Sequence, residues 1–294
     1  MSQLSQKRSQ TRKIMEERRA TSGERAEKII EVSGLSISLG GKAVLRDVSC
    51  DARRGDFLCV VGRNGAGKST LFKCVCGAYK NFRGSVKLAG KEAGTMSARE
   101  RARVVAYVPQ SVPPDMPYTV HEFMEMSRYP WRNFFSSSRE DHRAVSDAIA
   151  LAGVEEFASR KMRDLSGGER QKVMIASAIA QESDAILMDE PTTFLDYSHQ
   201  VETMELMTRV NKEKNVAMLI VTHDINLAMR VSDKVLGLSE GRVEWTGTPH
   251  GLQDSGLLYS IFGVTFERYF ARREGVSPLF APLFTPTGFA PTGR

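Results

Sequence analysis

The stretch Gly62-Arg63-Asn64-Gly65-Ala66-Gly67-Lys68-Ser69-Thr70 fits the pattern G-x-x-x-x-G-K-[ST] and governs how the rest of the chain is interpreted. It directly follows the apolar run Phe57-Leu58-Cys59-Val60-Val61, which has the length of a buried strand. Glycines let the backbone fold around an anion, so that its N–H groups and the N-terminus of a following helix point at phosphate oxygens. The pattern therefore predicts a strand, a nucleotide-binding loop formed by residues 62–70, and a helix. We expect Lys68 to reach the β- and γ-phosphates and Ser69 to bind Mg²⁺.

Length and composition are those of a globular protein of about two domains, or of one domain with a sizeable insertion. The chain has 294 residues and a formal net charge of +6. No uninterrupted apolar segment reaches the ~18 residues of a membrane span, and the start of the sequence lacks the apolar core of a secretory signal. We therefore expect a chain that stays in the cytoplasm. Its thiols are predicted to be structural, since they show no C-x-x-C spacing; they are Cys50, Cys59, Cys74 and Cys76.

Periodicity predicts alternating strands and helices, which favours a mostly parallel sheet covered on both faces. The predicted strands are 29–38, a short one that begins at 43–45, 57–61, 85–88, 104–108, 185–188, 216–221, 235–238 and 242–245. The predicted helices are 69–78, 120–127, 140–152, 167–181, 197–212 and 225–231. A proline-dense linker at 111–117 marks the start of a mostly helical insertion at about 111–182.

Two carboxylates, Asp189 and Glu190, end the apolar run Ala185-Ile186-Leu187-Met188. The carboxyl end of a strand is where ligands bind in α/β sheets, so these side chains are expected at the site. Asp189 is placed to hold Mg²⁺ through its hydration shell, and Glu190 to deprotonate an attacking water as general base. Solvation of a strand end is the plain alternative, and the nucleotide loop in the same chain favours function.

The stretch Leu165-Ser166-Gly167-Gly168-Glu169 is the most discriminating one. Locally, Ser166 and Glu169 form an S-x-x-E capping box, which would start a helix without any ligand. Two glycines in the first turn argue against that explanation alone, because each disfavours helix by about 0.8–1 kcal/mol relative to Ala. They are understandable if another group must approach the backbone closely.

At this point the chain resembles the ATP-binding cassette (ABC) family of transport ATPases, over residues 29–271. The motifs fall in family order: Walker A at 62–70, the Gln-loop at Gln110, the signature at 165–169, Walker B at 185–190, the Asp-loop at 194–196 and the switch histidine His223. The resemblance implies an α/β P-loop NTPase fold, with a RecA-like parallel-sheet core, an antiparallel β edge and an inserted α-helical subdomain. It also implies ATP and Mg²⁺ as ligands.

The resemblance further implies that two copies dimerise head to tail, with each ATP clamped between Walker A of one copy and the signature of the other. Ser166, Gly167, Gly168 and Glu169 would then act in trans, and Asp196 would cross the dimer interface. Gln110 would contact Mg²⁺ and the attacking water, and would link ATP to the membrane partner. His223 would contact the γ-phosphate; taken alone, it would more often be structural.

One position departs from the family pattern. Cassettes usually stack an aromatic residue on adenine just before the double glycine of the first hairpin, and here that place holds Leu39, before Gly40-Gly41. A leucine can cover the adenine ring without π-stacking. We therefore expect weaker selectivity for the base than with an aromatic residue.

Single-cassette length and the lack of a fused membrane segment resemble importers, whose permeases are separate chains and which work with a substrate-binding protein. Three stretches resemble cassettes for ferric siderophores, haem or cobalamin: 128–131 (Arg-Tyr-Pro-Trp), 194–200 and 222–228. The expected location is the cytoplasmic face of the inner membrane. Ser127, however, stands where glycine commonly precedes the arginine.

Two other classes of protein share part of this pattern. A soluble ABC-type ATPase on nucleic acid or ribosomes would fit the basic balance, but such proteins carry two cassettes or a long coiled coil between loop and signature. Lys68 and Ser166 are only 98 positions apart (166 − 68), so we do not expect a nucleic-acid partner. A module that binds ATP without hydrolysis conflicts with the intact Asp189, Glu190 and His223.

Both ends of the chain are predicted to be disordered. Residues 1–28 hold eight Lys/Arg against four Glu; such an arm could contact nucleic acid or an anionic membrane, but it lacks an amphipathic stripe, which favours a solvated tail. Residues 272–294 contain four prolines, at 278, 282, 286 and 291, which favours a disordered tail. The phenylalanines of that end offer a docking possibility that no other sequence feature supports: Phe280, Phe284 and Phe289.

Overall fold

The structure is a computed structural model that describes residues 27–111, 115–132, 138–193, 195–269 and 279–283. The predicted disorder of the N-terminal tail lies outside these residues, except that the first strand begins at Lys28. Parts of the proline-dense linker and most of the C-terminal tail, including Phe284 and Phe289, also lie outside them.

A six-stranded sheet forms the centre of the fold, in the order β10-β9-β3-β8-β7-β6. Five neighbouring strands are parallel, and β10 pairs antiparallel at one edge. The strands are β3 (Phe57–Val61), β6 (Val105–Val108), β7 (Ala185–Asp189), β8 (Ala217–Thr222), β9 (Lys234–Ser239) and β10 (Arg242–Gly247). Every residue of β3, β7 and β8 is buried, as expected for parallel strands covered on both faces.

A second, antiparallel sheet has the order β2-β1-β4-β5. Its strands are β1 (Lys28–Leu39), β2 (Lys42–Arg53), β4 (Arg83–Leu88) and β5 (Lys91–Glu92). The strand predicted to begin at 43–45 is present, but the prediction that it is short is wrong, because β2 continues to Arg53. Its alternation is interrupted where Asp47 takes a positive φ of 56° and the pairing with β1 shifts register, which hides the strand from a period-two pattern.

The helices are α1 (Lys68–Val75), α2 (Ala98–Val104), α3 (Val120–Met126), α4 (Arg139–Ala152), α5 (Gly167–Ala180), α6 (Tyr197–Lys214), α7 (Ile225–Val231), α8 (Pro249–Asp254) and α9 (Leu258–Phe262). Helix α1 is shorter than predicted, since Gly77 follows it in the left-handed region with a φ of 78°. Val104 ends α2 rather than beginning a strand.

The two faces of the central sheet carry two buried clusters. One cluster joins the inserted helices to the sheet, and includes Met124, Val145 and Ile175 together with Met188 and Ile220. The other packs the antiparallel sheet and α1 against the opposite face. The inserted helices therefore share a core with the sheet, which fixes their position relative to the carboxyl ends of its strands.

The predicted disorder of residues 272–294 is wrong at 279–283. Strand β12 (Leu279–Pro282) pairs antiparallel with β11 (Phe266–Tyr269), and Phe280 is buried. Its ring meets Phe266 edge to face, and the side chain of Asn226 bonds its backbone, so apolar burial fixes a segment whose prolines suggested disorder. In the part of the chain that the structure describes, none of the helices has the length and apolarity needed to cross a membrane.

Candidate nucleotide-binding site

The loop between β3 and α1 has the backbone that its glycines predict. Gly62 and Gly67 take φ values of 148° and 103°. A Cβ at Gly62 would lie 2.2 Å from the carbonyl oxygen of Leu238, and one at Gly67 would lie 2.5 Å from Cδ2 of Leu45. No larger residue fits either position, so the loop keeps an open concave backbone in front of α1, as a phosphate requires.

The ammonium of Lys68 lies inside this loop. Its Nζ donates to the carbonyl oxygens of Gly62 at 2.7 Å and Arg63 at 3.0 Å. Burial lowers the pKa of Lys68, and the nearby carboxylates of Glu190 and Asp189 oppose that shift. The side chain is therefore a preplaced donor close to the carboxylates.

Asp189, at the end of β7, connects the loop to the sheet. Ser69 Oγ donates to its Oδ1 at 2.9 Å, and the Tyr107 hydroxyl donates to its Oδ2 at 3.3 Å. Burial and the charge of Asp189 raise the pKa of Tyr107, which keeps the phenol protonated as a donor. A hydroxyl and a carboxylate are hard oxygen ligands of the kind Mg²⁺ prefers, so this pair fits the predicted metal role.

No cluster of three or more His, Cys, Asp or Glu side chains suited to a metal occurs among the described residues.

Glu190 is held from several sides. Gln110 Nε2 and Thr193 Oγ1 each donate to its Oε2 at 3.0 Å, and His223 Nδ1 lies 3.5 Å from the same oxygen. Its backbone takes a φ of 49°, and its N–H donates to the carbonyl of Val221 on β8. Three side chains predicted for the site, Gln110, Glu190 and His223, are thus brought together from β6, β7 and β8.

The signature residues form the capping box that starts α5. Ser166 N–H donates to Glu169 Oε2 at 2.7 Å, and Glu169 N–H donates to Ser166 Oγ at 3.3 Å. The bond from the backbone of Ser166 lowers the pKa of Glu169, and Arg160 adds a further donor. The local explanation is therefore correct as far as it goes, but it leaves the two glycines unexplained.

The two glycines have different surroundings. A Cβ at Gly167 would have no other heavy atom within 4 Å, whereas one at Gly168 would lie 2.9 Å from Cδ2 of the His199 ring. His199 Nδ1 lies 2.9 Å from each carboxylate oxygen of Asp196, which caps α6. Hydrogen bonds from the backbone and ring of His199 lower the pKa of Asp196 to about 2. Among the described residues, packing against His199 explains why position 168 is a glycine. No such contact explains the glycine at position 167.

Two separate groups of predicted residues result. In the first group, Ser69 of the loop donates to Asp189, Gln110 donates to Glu190, and His223 lies 3.5 Å from Glu190; the charges of both carboxylates also favour the charged form of Lys68 by raising its pKa. The signature residues and Asp196 form a second group around His199. No hydrogen bond found among the described residues joins one group to the other.

Three residues of these groups escaped the sequence reasoning: Tyr107, Thr193 and His199. Tyr107 reaches Asp189 through the fold, across 82 positions of the chain, whereas Thr193 and His199 contact Glu190 and Asp196 locally. The only available signal was proximity to a motif, since Thr193 and His199 each lie three positions after a predicted site residue.

Leu39 lies at the tip of the first hairpin and is half-buried. Two residues before it, Ile37 pairs with Leu45, whose Cδ2 closes against Gly67 of the loop. The hairpin therefore packs beside the loop through Leu45, and the role of Leu39 toward a nucleotide base stays a prediction.

Arg128 and Trp131 of the Arg-Tyr-Pro-Trp stretch have structural partners. The buried Arg128 donates to Asp141 at the start of α4 and to the carbonyl of Ala180 at the end of α5. Trp131 Nε1 donates to the carbonyl of Gln181. This stretch therefore ties the inserted helices together, whereas the Tyr129 ring is 70% exposed.

Comparison with known proteins gives consistent results. Residues 45–193 match the family described as ABC transporter. The chain is 31% identical over 264 residues to the petrobactin import ATP-binding protein of Bacillus anthracis, which covers 89% of this chain and 94% of that protein. It is 37% identical over 234 residues to the hemin import ATP-binding protein of Rhodococcus jostii, with 80% of each chain covered.

A third relative is longer than this chain. The cobalamin import ATP-binding protein of Halobacterium salinarum is 37% identical over 233 residues, which is 79% of this chain and 58% of that relative. The chain thus spans little more than half the length of that protein.

Among solved structures, an inward-facing metal-chelate type ABC transporter superposes with a TM-score of 0.78 at 26% identity, covering 88% of this chain and 99% of its own. A dimeric bacterial ABC transporter cassette superposes with a TM-score of 0.66 at 27% identity, covering 75% and 99%. The fold expected from the sequence is confirmed.

Proposed function

The chain belongs to the ABC transporter family, and we propose that it is the ATP-hydrolysing subunit of an importer for a ferric siderophore, haem or cobalamin. The observation that carries the proposal is the surroundings of Glu190, whose carboxylate accepts from Gln110 and Thr193 and lies 3.5 Å from His223. Several donors hold one carboxylate at the carboxyl ends of three strands, beside a phosphate loop. Orientation of an attacking water requires such an arrangement.

In the proposed reaction, the backbone of residues 62–70 binds the phosphates and Lys68 binds the terminal ones. Glu190 takes the proton of the attacking water, and Gln110 and Thr193 keep its carboxylate oriented. His223 contacts the γ-phosphate from the end of β8. Leu39 covers the base from the hairpin tip.

Ser69 and Asp189 would hold Mg²⁺, with Gln110 beside them. The ion supplies charge neutralisation at the phosphates when it is bound. The chain itself holds these two oxygens together, because Ser69 Oγ donates to Asp189 Oδ1 at 2.9 Å.

The proposed active unit is a head-to-tail dimer of two copies. No hydrogen bond among the described residues joins the signature group to the loop, and nothing in that part of the chain excludes a side chain at Gly167. A second copy placed against that surface would explain why residue 167 is a glycine. The nucleotide bound by the loop of that copy would approach the backbone at the start of α5. Ser166, Gly167, Gly168 and Glu169 would then serve the partner's nucleotide, with Asp196 at the interface.

The membrane partner would be a separate permease, and the chain would sit on the cytoplasmic face of the membrane. Large apolar side chains are exposed in the segment that follows Gln110, namely Tyr118, Met126, Tyr129 and Trp131. A permease bound there would contact the inserted helices, whose shared core with the sheet connects them to β6 and Gln110. ATP binding would close the dimer and move the permease, and hydrolysis would reopen it.

The substrate class rests on the relatives, whose names state import of petrobactin, hemin and cobalamin. The rival, a non-transport ATPase on nucleic acid or ribosomes, has no such support. The decisive experiment purifies the transporter assembled around this chain with its substrate-binding protein and identifies the bound ligand by mass spectrometry. A ferric chelate, haem or cobalamin that stimulates ATP hydrolysis is expected. A chain that associates with ribosomes or nucleic acid and with no permease would contradict the proposal.

A further inference from the structure

The C-terminal part of the chain contacts two parts of the nucleotide site, the phosphate loop and the helix that follows His223. We call residues 257–269 and 279–283 the C-terminal clasp; they comprise α9, β11, β12 and the turns beside them. One end of the clasp lies against the phosphate loop, and the other lies against the helix that follows His223.

The first contact is at Arg63, inside the loop. Its backbone N–H donates to the carbonyl of Ile261 at 3.2 Å. Ile261 is fully buried, and its Cδ1 would lie 2.5 Å from a Cβ at Gly237 of β9. Gly263, with a φ of 71°, ends α9 so close to the loop that a Cβ there would lie 2.7 Å from Cζ of Arg63. The clasp thus limits where this part of the loop can move.

The second contact is at Asn226, three residues after His223. Its Nδ2 donates to the carbonyl of Phe280 at 3.0 Å, and its Oδ1 accepts from the N–H of Phe280 at 2.8 Å. The amide side chain therefore bonds the backbone of one residue of β12 in both directions, as a neighbouring strand would. The backbone N–H of Asn226 donates to Asp224, the cap of α7.

Aromatic contacts and strand pairing connect the two ends of the clasp. Phe262 meets Phe266 with ring centroids 5.4 Å apart at 81°, and Phe266 meets Phe280 at 6.4 Å and 82°. Such edge-to-face contacts favour one relative orientation of the rings. Strands β11 and β12 pair along four residues each, and Leu283 N–H donates to the carbonyl of Thr265.

We infer that Asn226 is a positioning residue, through which the C-terminal clasp holds the His223 turn at a fixed place relative to the phosphate loop. The inference deepens the proposed function and rests on the role proposed for His223. The side chain of His223 is 58% exposed, and its Nδ1 lies 3.5 Å from Oε2 of Glu190. Its place is thus set mainly by the backbone of the turn, which the start of α7 and Asn226 hold.

The test compares steady-state ATP hydrolysis and melting temperature for the full-length chain and its variants. Asn226→Ala removes both hydrogen bonds to Phe280. We expect kcat to fall about tenfold while the KM for ATP stays within about twofold, because the phosphate loop is untouched and the catalytic geometry loosens. Gly263→Ala places a Cβ against the Arg63 guanidinium, and should instead raise the KM. A purely structural clasp would change the melting temperature and leave both kinetic constants alone.

The matched control is Arg268→Ala, on β11. It removes an exposed ion pair with Asp254 and leaves the contact with Asn226 in place. Equal kinetic loss in this variant would overturn the inference, as would an unchanged kcat in Asn226→Ala. Should Asn226→Ala fail to fold, Phe266→Leu tests the same connection by loosening the ring contacts, with the same expected loss of kcat.

His223→Ala separates failure of the inference from failure of the proposed function. Normal hydrolysis in His223→Ala would refute the role proposed for the histidine. If His223→Ala is inactive and Asn226→Ala retains full kcat with an unchanged KM, only the role of the clasp is refuted.

Discussion

At the scale of single residues, Glu190 combines an unusual backbone with a carboxylate whose Oε2 accepts two hydrogen bonds. Its φ of 49° lies in a region that residues other than glycine adopt at a cost, and its carboxylate side chain is 13% exposed. The backbone bond to Val221 and the donors Gln110 and Thr193 keep this conformation in place. Such a fixed carboxylate suits a base, because its orientation is set before the water arrives.

Glu190→Gln is therefore expected to bind ATP and to lose hydrolysis. The amide oxygen can still accept from Gln110 and Thr193, so the fold should be retained, but an amide cannot take the proton of a water. Turnover should fall by about 10²–10⁴-fold, the usual contribution of a general base. Single-turnover hydrolysis and nucleotide binding measure the two effects separately.

Glu240→Gln is the matched control for that variant. Glu240 is exposed in the turn between β9 and β10 and has a φ of 47°, close to that of Glu190. The same substitution there should leave turnover unchanged. Near-normal turnover in Glu190→Gln would remove Glu190 as the base.

Leu39 offers a second test at the scale of single residues, which concerns selectivity for the nucleotide's adenine or guanine ring. The hairpin packs beside Gly67 through Leu45, so a tyrosine at position 39 should lie over the adenine. Stacking of a base on an aromatic ring contributes about 1–3 kcal/mol. Leu39→Tyr should tighten ATP binding by about tenfold and increase the preference for ATP over GTP. Titration with both nucleotides is the measurement, and unchanged affinities would refute the idea.

At the scale of elements, the start of α5 provides a pair of neighbouring glycines with opposite surroundings. Gly167→Ala adds a methyl group in open space and favours helix by about 0.8–1 kcal/mol, so the melting temperature should not fall. Gly168→Ala places a Cβ 2.9 Å from the His199 ring and should lower it.

The same pair tests the role in trans. If the nucleotide of a second copy approaches the backbone here, Gly167→Ala should lose most of the ATPase activity of a chain that is as stable as the wild type. Thermal melting and ATP hydrolysis on the same sample provide the measurement. Full activity in Gly167→Ala would mean that nothing approaches α5 at that residue.

Elements built on contiguous apolar runs could be predicted from the sequence. Strands β3, β7 and β8 and helix α7 were expected within one residue of their ends. Helix α2 was missed, because Ala98–Val104 carries three arginines and buries only Val104, so periodicity shows no apolar face. Its capping box at Ser97 and Glu100 was nevertheless present in the sequence.

The site could be predicted only where its residues form contiguous motifs. Residues 62–70, 165–169 and 189–190 belong to such motifs, but Tyr107 and His199 reach Asp189 and Gly168 through the packing of separate elements. The hydrogen bonds between Asn226 and Phe280 join residues 54 positions apart, and no local sequence pattern predicts such a contact.

At the scale of the whole molecule, the two groups of site residues are not joined by any hydrogen bond found among the described residues. The capping box and the contact between Asp196 and His199 are complete in the monomer, yet they do not reach the loop through any hydrogen bond of the described residues. A head-to-tail dimer brings the signature group of each copy to the loop of the other, and closes two equivalent sites around one axis. Each site then depends on residues from both copies.

Mixing two inactive variants tests this directly. Lys68→Ala disables the loop of its own chain, and Ser166→Arg blocks the signature. In a mixed dimer one site is doubly defective, but the other combines an intact Lys68 with an intact Ser166 from different chains. With random pairing at equal amounts, half of the dimers are mixed and each has one intact site, so about a quarter of all sites should be intact. ATP hydrolysis that appears only on mixing is the expected result.

The control mixes Ser166→Arg with Gly168→Arg, both of which block the signature, so that no pairing yields an intact site. This mixture should stay inactive at every ratio. Hydrolysis should also rise more steeply than linearly with the concentration of wild-type chain, because the active species is bimolecular. A monomer with full activity at high dilution would show that residues 62–70 and 166–169 meet within one chain, and would refute the division of the site between two copies.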